Sequence, residues 1–482
     1  MAVGDQMTGD KPKDDSVDSQ EEEWTLYSTA AYSSVDDVWE ESIVNSRNDE
    51  SEEEWFDGDD FETGSSTVDW DSPPCPAPLG ISHMIRIGVC NHCLYRVSGR
   101  RTEKEGAEGG LILRAEALKR DVELSSSEIP ELCPLCENLF DDVENIVERI
   151  AEQTGQVDHG TIQIGVHIPK DLIQEEDRIR TRHGATGSRP LKASFTESIQ
   201  MGLSSIMDGI RFVRERPDLM ILIDCLTLRV DVDIRPVYVY GRYRKLDRGI
   251  PQTRWPCRAC RGRSDGCESC EGTGLQYIDS VQDLIGVSFV KALSGDDSSF
   301  HGMGREDIDV RCLGRGRPFV LEIKHPRNRR TDLEEMVNIV NEMANGKVEI
   351  NELSWCDKKE VSRIKETRSE KSYTIRFKIN EPPENEIIIE SISNLAGVTL
   401  EQQTPKRVSH RRADKNRKRK ITSIGDVLIE GDEVQFSVRC EAGTYVKELV
   451  HSDEGRTVPS VAGILESDCE VIWLDVEEIH AD

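Results

Sequence analysis

The sequence contains no run of 18 apolar residues, so no segment is long enough to cross a bilayer as a helix. Its first residues, MAVGDQMTGDKPKDD, lack the apolar stretch of a secretion signal, and the cytoplasm is the expected compartment. Basic residues are nearly missing from positions 1–75, which hold 3 Lys+Arg against 23 Asp+Glu. This stretch is also Ser-rich and poor in aliphatic side chains. Such a composition cannot bury enough apolar surface to offset the entropy of folding, so 1–75 is read as a disordered acidic tail. Trp24, Trp39, Trp55 and Trp70 punctuate it. Acidic segments with aromatics can imitate nucleic acid in a basic groove. The rest of the chain carries 69 acids and 58 bases, so most of the net charge of -31 lies in the tail and the body can still present basic patches.

Cysteine is not scarce, but its spacing argues against disulfides. Of 14 cysteines, eight fall in four Cys-x-x-Cys pairs. In a reducing compartment such pairs read as metal ligands. Cys257, Cys260, Cys267 and Cys270 form one tight quartet joined by a Gly-rich turn. Cys90, Cys93, Cys133 and Cys136 form a second, with 39 residues between its two halves. Four thiolates suit tetrahedral zinc and leave no open position, so both sites are expected to be structural.

Between the quartets, TIQIGVHIP reads as a strand and CPLCENLFDDVENIVERIAEQ carries a helix. SFTESIQMGLSSIMDGIRFVRE reads as a second helix, with Ser194 as its N-cap. The chain is therefore divided into the tail, 76–275 as an α/β region with metal sites, and 276–482 as a larger domain rich in antiparallel strands. Two stretches look suited to RNA. RPVYVYGRYRKLDRGIPQTRW mixes Arg242, Arg244 and Lys245 with Tyr238, Tyr240 and Tyr243, and phosphate contact with base stacking needs that mixture. PKRVSHRRADKNRKRK, which includes Arg411 and Arg412, reads as a flexible loop gripping an RNA backbone.

HGMGREDIDVRCLGRGRPFVLEIKHP reads as a β-hairpin turning at Gly314-Arg315-Gly316, with acids at its start and finish. Two chemistries fit it. Asp309 with Glu322 and Lys324 matches the short Asp…Glu-x-Lys pattern of metal-dependent nucleases, where the acids hold Mg²⁺. Alternatively one carboxylate acts covalently without metal. Isomerising uridine to pseudouridine breaks the N1–C1′ bond, rotates the base and rejoins it through C5. That chemistry asks for an ionised carboxylate, a cation to hold it so, an aromatic ring against the flipped base, and an arginine to fill the vacated stack. Asp307, Lys447, Tyr373 and Arg305 supply these four. On this reading Asp309 is an electrostatic neighbour and Glu322 pairs with a nearby Arg. Arg456 would bind phosphate or form an ion pair. A non-catalytic RNA-binding protein on the same scaffold is a third reading.

GREDIDVRCLGRGRPFVLEIKHPR, QQTPKRVSHRRADKNRKRK, GTYVKELVHSDEGRTVPSVAGIL and IRPVYVYGRYRKLDRGIPQTRWPCRACRGR resemble the Pus-ten family of tRNA pseudouridine synthases, archaeal type, over roughly residues 80–482. The resemblance implies an α+β protein. An N-terminal zinc-binding and THUMP-like RNA-binding module precedes a pseudouridine synthase fold, a mixed, largely antiparallel sheet with flanking helices. It implies Asp307 as nucleophile, Tyr373 in the Lys-Ser-Tyr motif, and Lys447 as the basic residue after Gly-Thr-Tyr. It also implies modification of the tRNA T-loop at positions 54 and 55, no catalytic cofactor and no membrane. A monomer is expected.

Overall fold

A computed structural model describes residues 78–482, apart from 122, 125–130, 184–186, 264, 412 and 482, and apart from the side chains of 78, 79, 183, 410 and 411. The expected tail, 1–75, lies outside the described residues, as do the side chains of Arg411 and Arg412.

Residues 78–234 run α1 (Pro78–Arg86), α2 (Asn91–Ser98), α3 (Gly106–Arg120), α4 (Val143–Thr154), β1 (Thr161–His167), α5 (Lys170–His183), α6 (Leu191–Ile206), β2 (Arg211–Phe212), β3 (Leu219–Asp224) and β4 (Arg229–Ile234). The sheet order is β2-β1-β3-β4, with β1 parallel to β2 and β3, and β4 antiparallel to β3. Apolar residues at helical spacing, Ile146, Val147 and Ile150 on α4 and Phe195, Ile199 and Leu203 on α6, meet the sheet residues Ile162, Leu219 and Ile221 in one core. α6 begins at Leu191, so Ser194 lies inside the helix rather than at its cap.

The second sheet is larger. Its strands are β5 (Val237–Lys245), β6 (Asp297–Gly302), β7 (Arg311–Lys324), β8 (Val348–Cys356), β9 (Lys371–Ile379), β10 (Thr399–Gln403), β11 (Asn416–Glu430), β12 (Glu433–Cys440), β13 (Thr457–Val458) and β14 (Cys469–Ile479). Its helices are α7 (Val281–Ala292), α8 (Leu333–Met343), α9 (Lys358–Glu366), α10 (Asn385–Ser393), α11 (Val446–His451) and α12 (Val461–Leu465). The order is β13-β10-β11-β12-β9-β14-β7-β5-β8, with β6 also on β7. Helices cover both faces of the middle strands. Phe319, Leu321 and Ile323 face α7 and α8, whereas Cys312 and Val320 share the opposite core with β9 and β12. That two-sided burial explains the consecutive apolar residues Phe319, Val320 and Leu321.

Two expectations change here. β5 pairs with β7 and β8, so the large sheet begins at Val237 and a boundary at 275/276 cuts through it. The cysteine quartet at 257–270 is an excursion between β5 and α7. Second, β7 is one strand from Arg311 to Lys324, not the two arms of a hairpin. Gly314 and Gly316 form a bulge in it, at φ 56° and 87°. β7 advances five positions from Arg317 to Cys312 where β5 advances two, from Tyr243 to Lys245. A Cβ on Gly314 would lie 2.0 Å from the Glu477 carbonyl oxygen, so neighbouring backbone leaves room only for glycine. The true hairpin partner of β7 is β6, which leaves the acids on the loop between them, 303–310.

Candidate active site

That loop sits where β7 changes neighbours. β6 pairs with its distal half, Phe319 to Lys324, and β14 with its proximal residues Arg311 and Cys312. Loop 303–310 occupies the gap between them.

Its underside is fastened to the sheet. Glu306 is buried, with Arg317 Nε 2.9 Å away, and accepts from the Tyr243 hydroxyl at 2.8 and 3.0 Å and from Gln252 Nε2 at 3.2 Å. Lys245 Nζ donates to the carbonyls of Ile250, Asp307 and Ile308 at 2.8, 3.2 and 3.0 Å. Arg248 Nη1 donates to the Asp309 carbonyl at 2.7 Å, and its Nη2 to buried Asp475 at 2.6 Å. Three consecutive loop carbonyls are therefore held by two cations.

The upper side carries the exposed acids. Lys447 Nζ, in the first turn of α11, donates to Asp309 at 2.8 and 3.0 Å and lies 3.6 Å from Asp307 Oδ2. Burial acts to raise the Asp309 carboxyl, but the bond to Lys447 and its charge outweigh this and hold it below the usual range. Arg407, in the short 3₁₀ turn Lys406–Arg411, donates from Nη1 to Asp307 Oδ2 at 2.7 Å. Its Nε and Nη2 donate to Glu448 at 2.6 and 3.3 Å, and Glu448 is only 1% exposed. Asp307 Oδ1 takes no hydrogen bond among the described residues.

Tyr373 lies on β9 opposite Val438 and Val476, where burial, then Cys440, pushes its hydroxyl above its ordinary value. Arg317 and Cys312 are part of its surroundings, so it shares the ground beneath the loop. Lys371, two residues earlier, is buried, and burial followed by Arg317 brings its ammonium down to about 8. Arg305 stacks over Trp255, 5.5 Å from the ring centre, at the start of the 257–270 excursion.

The RNA expectations for β5 are corrected by burial. Arg242 and Lys245 are 1% and 0% exposed and cannot reach a phosphate. Arg242 donates to the Gly316 and Ala481 carbonyls at 3.1 and 2.7 Å. Arg244 is partly exposed and paired with Glu349. Arg456 donates to the Thr404 carbonyl at 3.3 Å and lies 4.0 Å from Asp414. Arg407, Glu448, Glu306 and Arg248 were missed as site residues. For Arg407 a signal existed, because Pro405 and Val408 flank it and half-apolar turns fold back onto a core.

The nuclease constellation does not assemble. Glu322 lies 2.9 Å from His301 and accepts from Tyr238 at 3.3 Å, not from an arginine, and Lys324 lies 3.7 Å from Asp297. Among the described residues, only the two cysteine quartets bring three or more ligand atoms within 4.8 Å of one another. Those quartets fit zinc. Their sulfur pairs Cys90–Cys136, Cys257–Cys267, Cys260–Cys270 and Cys267–Cys270 stand 3.7, 3.8, 3.8 and 3.7 Å apart. A tetrahedron with Zn–S bonds of about 2.3 Å has edges of about 3.8 Å. Arg96 Nε and Nη2 donate to Cys93 Sγ at 3.3 Å, and the Gly274 and Cys267 amides to Cys270 Sγ at 3.2 and 3.1 Å, as thiolates require. Among the described residues no helix is long and apolar enough to cross a membrane.

Residues 238–480 match the family described as "Pus10, C-terminal". The chain is 39% identical to tRNA pseudouridine synthase Pus10 of Methanothrix thermoacetophila, over 70% of this chain and 74% of that one. It is 38% identical to the protein of that name from Methanocaldococcus jannaschii, over 75% and 78%, and 34% identical to that from Halorubrum lacusprofundi, over 82% and 94%. These sources are archaeal. Among solved structures, a chain of a Cbf5-Nop10-Gar1 complex is similar over 40% of this chain and 43% of its own, at 19% identity and a TM-score of 0.24.

Proposed function

Because the chain belongs to the Pus10 family of tRNA pseudouridine synthases, we propose that Asp307 is the nucleophile with which it isomerises uridine in the tRNA T-loop, at positions 54 and 55. The observation that carries this reading is the asymmetry of the Asp307 carboxylate. One oxygen is gripped by cations and the other takes no hydrogen bond among the described residues, on a loop whose backbone is fixed from below. A carboxylate so held keeps one oxygen for the sugar or base.

The reaction balances without an outside reagent. The N1–C1′ bond breaks, the base turns, C5–C1′ forms, C5 loses its proton and N1 regains one. No electrons are gained or lost, so no redox cofactor is called for, and the four-thiolate quartets, which leave no open position, hold zinc for structure. Tyr373 takes the face of the flipped uracil, and Arg305 fills the stack it leaves. The surface strand Asn416–Lys420, with the preceding basic turn and Arg456, tracks the RNA backbone. Residues 78–234 act as the THUMP-like docking module, and the chain works as a monomer in the cytoplasm.

Tritium release from tRNA labelled at uracil C5 tests this, with chelator present. Wild type should release label and Asp307→Asn should not, while tRNA affinity stays within about threefold. Release by Asp307→Asn at the wild-type rate would remove Asp307 from the chemistry.

A further inference from the structure

The basic run 405–420 reads in sequence as an RNA clamp, and the residue after Gly-Thr-Tyr as the counter-ion of the nucleophile. The geometry divides these duties differently. Lys447 makes its two close contacts with Asp309 and stands 3.6 Å from Asp307. Arg407 makes the direct 2.7 Å bond to Asp307 Oδ2.

Arg407 is also the better fixed of the two. Its Nε and Nη2 are bound to Glu448, a carboxylate that is almost fully buried on α11. A buried carboxylate strongly requires its partner, so Glu448 holds the guanidinium in one orientation. The turn that carries Arg407 is pinned as well, through the Lys406 amide to Asp453 at 3.0 Å and the Val408 amide to the Pro405 carbonyl at 3.1 Å. A planar guanidinium can serve two carboxylates on two edges at once, whereas an ammonium is a point charge without that directionality.

We infer that Arg407 is a catalytic residue, the principal counter-ion of Asp307, which Glu448 aims at Oδ2 so that Oδ1 is left for attack. The inference rests on the reading of Asp307 as nucleophile. It moves one arginine of the basic turn from RNA binding to chemistry, and it leaves Lys447 mainly to Asp309.

The two roles separate in measurement. A phosphate contact acts on tRNA affinity, and its loss reduces the salt dependence of binding by about one counterion. A counter-ion acts on the chemical step. Single-turnover tritium release at saturating tRNA should fall at least 100-fold in Arg407→Met, with tRNA affinity within threefold and an unchanged salt slope. In Arg407→Ala, added guanidinium should restore the rate at least tenfold, and ethylammonium should restore less. Arg407→Met leaves Glu448 buried and unpaired, so it could fail to fold. The double variant Arg407→Met/Glu448→Gln removes that charge and should fold yet remain slow.

A double variant within threefold of the wild-type rate would overturn the inference. So would a loss that appears in affinity and salt slope while the saturated rate is kept, or an Arg407→Ala variant that guanidinium leaves slow. Asp307→Asn keeps the two readings apart. If it turns over, the nucleophile assignment falls. If it is inactive while the double variant is fast, only the role of Arg407 falls.

Discussion

Lys447 donates to both oxygens of Asp309, at 2.8 and 3.0 Å, and so is shared unequally between the two acids of the loop. Asp309 is over half exposed, and exposed pairs contribute about 0–1 kcal/mol. Its removal should therefore disturb little. Asp309→Asn frees Lys447 to close on Asp307, and its saturated rate should stay within about tenfold of wild type. Lys447→Met removes a cation from both acids and should cost more than Asp309→Asn. Tritium release on the two variants checks the order. The reverse order would mean that Asp309 itself touches the substrate.

Lys245 offers a sharper test of the loop's foundation. Its ammonium is buried and bonds the carbonyl of Asp307 itself. Lys245→Met leaves three carbonyls without that donor and lets the loop drift. A displacement of about 1 Å in a reacting group can cost on the order of 100-fold. A loss of that size is expected in kcat, with tRNA affinity retained. Val239→Ala, a cavity in the same strand at another buried site, is the control for stability alone. If both variants melt alike and slow alike, Lys245 is merely structural.

These residues also show where sequence reading works. The quartets were legible because few structures other than a metal site need four cysteines at that spacing, and the family model and relatives bear out the family resemblance. β1, β9 and β12 were legible from two-residue alternation, as at Val434, Phe436, Val438 and Cys440. β5 misled because Arg242 and Lys245 beside tyrosines look like an RNA surface. Nothing local reveals that their charges are spent on carbonyls brought from Gly316, Ala481 and Asp307. Gly314 and Gly316 misled as well, because a bulge and a turn both need positive φ. Arg407 and Glu448 could not be paired in advance, since 41 residues separate them.

Lys371 predicts a pH dependence of stability. Its ammonium is brought down to about 8 from an ordinary 10.5 by burial and by Arg317. Below pH 8 both folded and unfolded chains carry the proton, and the folded state bears the full cost of the buried charge. Between about 8 and 10.5 the unfolded state binds more protons, so this cost fades as pH rises. Lys371→Met should therefore stabilise the protein at pH 7 by about 1–3 kcal/mol, and the gain should shrink toward pH 10. Denaturant titrations of both proteins at a series of pH values measure it. A gain independent of pH would mean that lost packing strain, not charge, explains the effect.

Metal removal should act on the two quartets differently. Cys90, Cys93, Cys133 and Cys136 lie within the core of residues 78–234, so losing their metal should loosen that region. The other quartet has almost no core of its own, only its cysteines. Its metal is expected to fix the excursion, and with it the preceding segment that sets Trp255 against Arg305 and Gln252 against Glu306. Elemental analysis should find about two zinc ions per chain, and Cys260→Ser should lose one of them. That variant should keep its tRNA affinity and most of its melting temperature, because the large cores are untouched. Its saturated rate should fall, because the loop carrying Asp307 loses one of its walls. A Cys260→Ser enzyme with one zinc and the full wild-type rate would show that the excursion does not support the active site.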